Sequence, residues 1–196
     1  MAYMTDKWAG NEYFKINDFH HVEFYVNNAK QAVFYYSKLF GFNVCGYRGP
    51  ETDCFDSVSY LLKTNNVNFI FTSPLKSTHN SVKWLSKHGE GVYDIAFSVD
   101  SAKIALESCI KRGANMFSSV NEQYCNYRHS SIRTYGNTIH SFIEDYNFDG
   151  FWAPGFKKIG TSNKNTTNLL RIDHIVGNVE EGKMDVWQEF YSKVFG

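Results

Sequence analysis

The sequence has no excess of charge, no long apolar run and no paired cysteines. Lys plus Arg number 20 and Asp plus Glu number 20 in 196 residues, so the formal net charge is zero. Such a balance lacks the basic footprint that nucleic acid or an anionic membrane surface selects. Lys157, Lys158 and Lys164 are too sparse to build a phosphate-binding patch. No apolar stretch approaches the ~18 residues that a membrane-spanning helix requires. Residues 1–17 read as a polar leader, carrying Asp6, Lys7 and Glu12 where a signal peptide would place an apolar core. The four cysteines, Cys45, Cys54, Cys109 and Cys125, form no CxxC pair and no zinc-type spacing with histidine. They read as reduced thiols of a cytoplasmic protein. A phosphate-cradling glycine loop and a nucleophile elbow are also missing, which removes two common routes to catalysis.

What is present is aromatic and repetitive. Hydrophobic residues make up 43% and aromatics 17% of the chain, enough for a real core in one domain or one and a fraction. The pattern of residues 18–76 predicts a βαβββ unit. A strand over His20 to Val26 is followed by a helix with Ala29, Ala32, Val33, Tyr36 and Leu39/Phe40 at core spacing. Asn27 or Asn28 can cap it and Gly41 can stop it. Strands then cover Phe42 to Tyr47, Ser57 to Thr64 and Val67 to Ser73, the last two joined by Asn65-Asn66. A connecting helix is expected over Ser81 to Lys87. Residues 91–148 repeat the plan, with a strand over Val92 to Val99, a helix over Ser101 to Arg112, a short strand over Met116 to Val120, and strands flanking Tyr135-Gly136-Asn137. Phe24/Phe97, Val26/Val99, Ala29/Ala102 and Lys30/Lys103 all lie 73 apart, as 97 − 24 shows. Together the two units define an N-terminal domain over 18–154. A polar, Gly-containing linker over 155–169 follows. The segment 170–196 then opens a third copy. Tyr191-Ser192-Lys193-Val194-Phe195-Gly196 repeats Tyr36-Ser37-Lys38-Leu39-Phe40-Gly41 with one change.

Two such units bury their sheet faces by pairing, and the paired sheets curve around a cavity. With His21 as reference, the 73-residue offset selects Asp94 on the matching first strand, and it relates Glu144 to Phe71 on the last strands. His21, Asp94 and Glu144 therefore form a candidate cavity cluster, either a divalent-cation site or a satisfied polar cluster of a degenerate cavity. His140 lies four residues before Glu144 and shares its face, as a further cavity member or as a packed core histidine. His20 should point away from His21 by strand alternation. His79, His88 and His129 read as surface or loop residues. In the same place in the third copy stands His174. Met184, Trp187, Tyr191 and Val194 form a helix stripe that lacks following strands to cover it. The expected fates of that tail are disorder, docking on the first half, or pairing with another chain.

Several phrases, in order, give this architecture a specific resemblance. Tyr47-Arg48-Gly49-Pro50-Glu51-Thr52, His88 to Phe97, Thr134-Tyr135-Gly136-Asn137-Thr138, Phe151-Trp152-Ala153-Pro154-Gly155-Phe156 and Ile172-Asp173-His174-Ile175-Val176-Gly177-Asn178 are similar to the 4-hydroxyphenylpyruvate dioxygenase family. That family belongs to the vicinal oxygen chelate, glyoxalase-like superfamily. The resemblance implies an α+β fold of repeated βαβββ units and a catalytic C-terminal half. It also implies Fe(II) held by two histidines and a glutamate, with open positions for a 2-oxo acid and O₂. The substrates would be 4-hydroxyphenylpyruvate and O₂, the product homogentisate, and the assembly a homo-oligomer. His174 matches the family's first iron ligand. The other two ligands belong to the fourth unit, so the expectation is a partial chain, inactive by itself, whose N-terminal half is structural. The alternatives are 4-hydroxymandelate synthase, which shares fold and iron, and a non-catalytic small-molecule binding module using the first cavity.

Overall fold

The computed structural model describes residues 14–124, 126–160 and 167–196. Strand β1 (Ile16–Tyr25) leads to helix α1 (Ala29–Leu39), then β2 (Asn43–Arg48), β3 (Ser57–Thr64) and β4 (Val67–Pro74). After α2 (Asn80–His88) the second unit runs β5 (Gly91–Val99), α3 (Ala102–Lys111), β6 (Asn115–Tyr124), β7 (Tyr127–Arg133) and β8 (Ile139–Asp145). A two-residue strand β9 (Lys157–Lys158) and helix α4 (Met184–Phe195) complete the described elements.

All nine strands form one sheet in the order β6-β7-β8-β5-β1-β4-β3-β2-β9. In each unit the first strand runs parallel to the last, β1 with β4 and β5 with β8, while the other neighbours are antiparallel. The units meet where β1 and β5 pair antiparallel, Val22 opposite Ile95 and Glu23 opposite Asp94.

The local signals explain most of these elements. Asn28 caps α1 by accepting from the Gln31 amide, and Ser101 caps α3 by accepting from the Ile104 amide. The caps lie 101 − 28 = 73 apart, the same offset as the sequence repeat. Gly41 and Gly113 take φ of 71° and 97° just beyond the helix ends. Asn65, at φ 47°, turns β3 into β4.

Several expectations change. The α1 stripe stops early: Leu39 is 62% exposed and Phe40 39%, because the sheet behind α1 ends against Tyr36 and Phe42. The sixth strand is twice its expected length, its 10 residues meeting the 7 of β7 because bulges take up the difference. The expected linker contains β9, whose Lys157 and Lys158 pair with Tyr47 and Gly46. Gly46 makes room for the incoming chain: a Cβ there would lie 2.8 Å from the Phe151 ring. Residues 171–179, expected as the first strand of a third unit, contain no strand. A strand needs a hydrogen-bonding neighbour, and the described sheet offers these residues none.

The tail docks on the first half. Val194 is 1% exposed in a core cluster with Leu106, Cys109, Ile132 and Phe142. The Tyr191 hydroxyl lies 2.8 Å from His140 Nε2, and the Trp187 ring packs edge-on against Tyr135. His140 is thus a core histidine under α4, and burial lowers its pKa to about 4. Met184, at the start of the stripe, stays 72% exposed. Val194→Ala should cost about 2 kcal/mol in urea unfolding, the loss of two buried methyl groups. Val194→Asp should free α4, so that trypsin cuts rapidly at Arg171 and Lys183 while residues 14–160 persist.

Candidate functional site

The paired units enclose a cavity of about 500 Å³ on the sheet face opposite α1 and α3. Its lining includes His21 and Glu23 from β1, Arg48 from β2, Asp94 from β5, His129 from β7 and Ser141 from β8. Phe148 to Phe156 of the connector folds back beside it, so that Trp152, Ala153 and Phe156 form part of the wall. Trp152 has φ 63°, a left-handed conformation that a bulky residue rarely adopts. Its ring packs against His20 and His21, with centroids 5.2 and 5.3 Å away.

Of the three cavity residues selected from the sequence, the structure brings two together and separates the third. His21 is 6% exposed and Asp94 5%. Glu144 is buried on the other side of the sheet. It accepts the Ala102 amide at 2.9 Å, closing the start of α3, and pairs with Arg128 at 2.9 Å. The cause is register. Phe71 lies opposite Tyr60 and beside Phe24 in the first unit, and Phe142 lies opposite Ser130 and beside Phe97 in the second. The last strands are therefore related by 142 − 71 = 71, not 73, because residues are lost between helix and last strand. The counterpart of Phe71 is Phe142, and both face the helices.

The neighbour of His21 also departs from strict alternation. The β1–β5 ladder slips between Phe19 and His21, and a bulge turns two successive side chains to one side. His20 and His21 consequently meet, Nδ1 to Nδ1, at 2.7 Å. Burial lowers both, His20 to about 4 and His21 well below its ordinary value. Two neutral imidazoles thus share one hydrogen bond near neutral pH. His129, expected at the surface, lines the cavity, and its pKa too is lowered by burial.

Glu23 and Arg48 went unrecognised in the sequence. Glu23 stands two residues beyond His21, so period-two alternation was the available signal. Arg48 ends β2, and only the three-dimensional register joins it to Glu23. The join is a row of hydroxyls: Arg48 Nη2 donates to Ser59 Oγ at 3.3 Å, Ser59 Oγ lies 2.8 Å from Thr72 Oγ1, and Thr72 Oγ1 donates to Glu23 Oε1 at 2.5 Å. Asp94 accepts from the Ser141 amide at 3.1 Å and from its hydroxyl at 2.5 Å. Burial raises Glu23, and burial with the facing Glu23 raises Asp94 to about 8, the serine bonds opposing the shift. Among the described residues no three His, Cys, Asp or Glu side chains are grouped to hold a metal ion.

His174 lies elsewhere. Its side chain is 73% exposed, with Nδ1 2.8 Å from Asp173 Oδ2. That pairing fixes one ring nitrogen and leaves Nε2 facing outward.

Comparison with known proteins agrees with this architecture. The pattern of the Glyoxalase/Bleomycin resistance protein/Dioxygenase superfamily matches residues 20–128, and the chain belongs to that superfamily. Within it, the chain is 34% identical over 199 residues to 4-hydroxyphenylpyruvate dioxygenase of Coccidioides posadasii, covering 90% of this chain and 49% of that protein. The chain spans about half the length of the curated relatives it matches. Among solved structures, a mutant of 4-hydroxymandelate synthase from Streptomyces coelicolor superposes with a TM-score of 0.77 at 19% identity, over 92% of this chain and 52% of that one. Methylmalonyl-CoA epimerase from Mycobacterium tuberculosis superposes with a TM-score of 0.56 at 17% identity, over 67% of this chain and 89% of that one. These two structural likenesses establish the fold.

Asp94 makes stability pH-dependent. Its folded pKa, about 8, lies above its unfolded value, so the native state binds more protons between about pH 4 and pH 8. Stability therefore falls through that window as pH rises. Asp94→Asn removes the charge, while its amide oxygen still accepts from the Ser141 N–H and its NH2 donates to the Ser141 hydroxyl oxygen. Relative to the unmodified protein it should gain at least ~1 kcal/mol between pH 4 and pH 8, the equivalent of one pK unit, as read by urea denaturation at the two pH values.

Proposed function

We propose that this chain is the N-terminal half, with the opening of the catalytic half, of an Fe(II)-dependent dioxygenase. The enzyme converts 4-hydroxyphenylpyruvate and O₂ to homogentisate and CO₂. The observation that carries this reading is the spread of identity. The 34% match runs over nine-tenths of the chain, well outside residues 20–128, which the wider superfamily shares. The phrase around His174 falls in that added region.

The described residues do not by themselves fit an iron site. His174 stands on a strandless, exposed segment with Asp173 as its neighbour, and no three donors are grouped among the described residues. In this reading His174 supplies one imidazole, Asp173 holds its tautomer through Nδ1, and the other donors come from polypeptide beyond these residues. Fe(II), when bound, would activate O₂ and hold the 2-oxo acid. The N-terminal units serve as the support on which α4 and the His174 segment rest. We further place the enzyme in the cytoplasm as a homo-oligomer, as the resemblance implies; among the described residues no helix is long and apolar enough to cross a membrane.

The test is O₂ uptake with 4-hydroxyphenylpyruvate and Fe(II). The protein extended through the rest of its reading frame should turn over and release homogentisate, and His174→Ala should lower the rate by at least ~100-fold, the upper range for disturbing even an indirect metal contact. The 196-residue chain alone should consume none. Release of 4-hydroxymandelate would assign the other activity of this fold. A His174→Ala enzyme with unchanged rate would remove His174 from the site.

A further inference from the structure

The cavity between the two units is built for a ligand of its own, apart from any iron chemistry. Arg48 stands at one end of the hydroxyl row and Glu23 at the other, with Ser59 and Thr72 buried between them as a floor. Each end keeps unused capacity. Arg48 Nε is buried without a hydrogen-bond partner. Glu23 accepts from Thr72 through Oε1, and a carboxyl has acceptor capacity beyond one such bond. Buried polar groups in native proteins are otherwise nearly always paired, so the orphaned Arg48 Nε points to a ligand, and Glu23 across the floor offers that ligand a second contact of opposite sign.

The spacing limits the size of that partner. Links of 3.3, 2.8 and 2.5 Å set an upper limit on the distance between the guanidinium and the carboxyl. An α-amino acid, making one hydrogen bond at each end, bridges a gap of that size. Asp94 lies directly opposite Glu23 in the β1–β5 ladder, adding a second carboxyl where an ammonium would sit. The walls suit a flat side chain. The Tyr25 and Tyr93 rings stack at 3.9 Å, and Tyr127 and Trp152 also line the cavity. Tyr127 is buried. A volume of about 500 Å³ lies within the ordinary range of small-molecule sites. We propose that this cavity binds a free α-amino acid with an aromatic side chain, its carboxylate on Arg48 and its ammonium on Glu23 and Asp94.

An ammonium set between the two facing carboxyls favours their charged forms, against the burial that raises both. The aromatic walls add a favourable contact with the ammonium.

Isothermal titration of the 196-residue protein tests this with L-phenylalanine, 3-phenylpropanoate, 2-phenylethylamine and L-serine. L-phenylalanine should bind saturably, and each of the other three at least ~10-fold more weakly, since charge-assisted hydrogen bonds are the strong ones. In Arg48→Met, L-phenylalanine should bind no better than 2-phenylethylamine. In Glu23→Gln, it should lose its advantage over 3-phenylpropanoate. Two variants at opposite ends keep the test decisive if one fails to fold, as judged by its thermal melt. No binding of L-phenylalanine at about 10 mM, or binding of a one-headed analogue or of L-serine as tight as that of L-phenylalanine, overturns the proposal.

Discussion

The antiparallel pairing of β1 with β5 is the constraint on which the rest depends. Each βαβββ unit is a four-stranded sheet with an open edge at its first strand, and an open edge is a liability until paired. Joining the two edges produces one continuous sheet and one shared cavity. The same ladder sets Glu23 opposite Asp94, two carboxyls that neither unit alone would bring together. Their mutual cost is accepted at the seam because the core clusters of both units pack against it, Ala96 and Ile70 on the cavity side and Val99 behind.

Most of the fold was legible in the sequence because its signals are local. Caps at Asn28 and Ser101, the Asn65 turn and glycines beyond each helix are all decided within a few residues. The repeat gave the pairing plan, since two similar units bury similar faces. What failed was arithmetic carried across insertions. An offset that holds from strand to helix slips by two residues at the last strand, and Glu144 moves out of the cavity into the start of α3. A bulge placed His20 beside His21 for a similar reason: alternation holds only while the ladder is unbroken.

The candidate site was only half legible. His21 and Asp94 follow from the repeat, but Arg48 joins Glu23 through hydroxyls on two other strands, a relation that no spacing along the chain encodes. His174 shows the opposite case. Its phrase is specific in sequence, while its surroundings in space are open and carry no strand. The relatedness covers nine-tenths of the chain, whereas among the described residues strand structure is confined to the two units and β9.

The two-residue strand β9 joins the connector to the edge of the sheet. Lys157 and Lys158 are stitched to Tyr47 and Gly46, and the Ile159 amide is bonded to the Cys45 carbonyl, immediately before Arg48 on the same strand. The connector is thus fastened to the strand that carries Arg48, and the chain is fastened a second time ahead of His174, where the Asn66 amide donates to the Leu170 carbonyl. The edge of β2 is thereby covered over Gly46 and Tyr47 by the protein's own backbone, which leaves less of it open to pairing with another sheet.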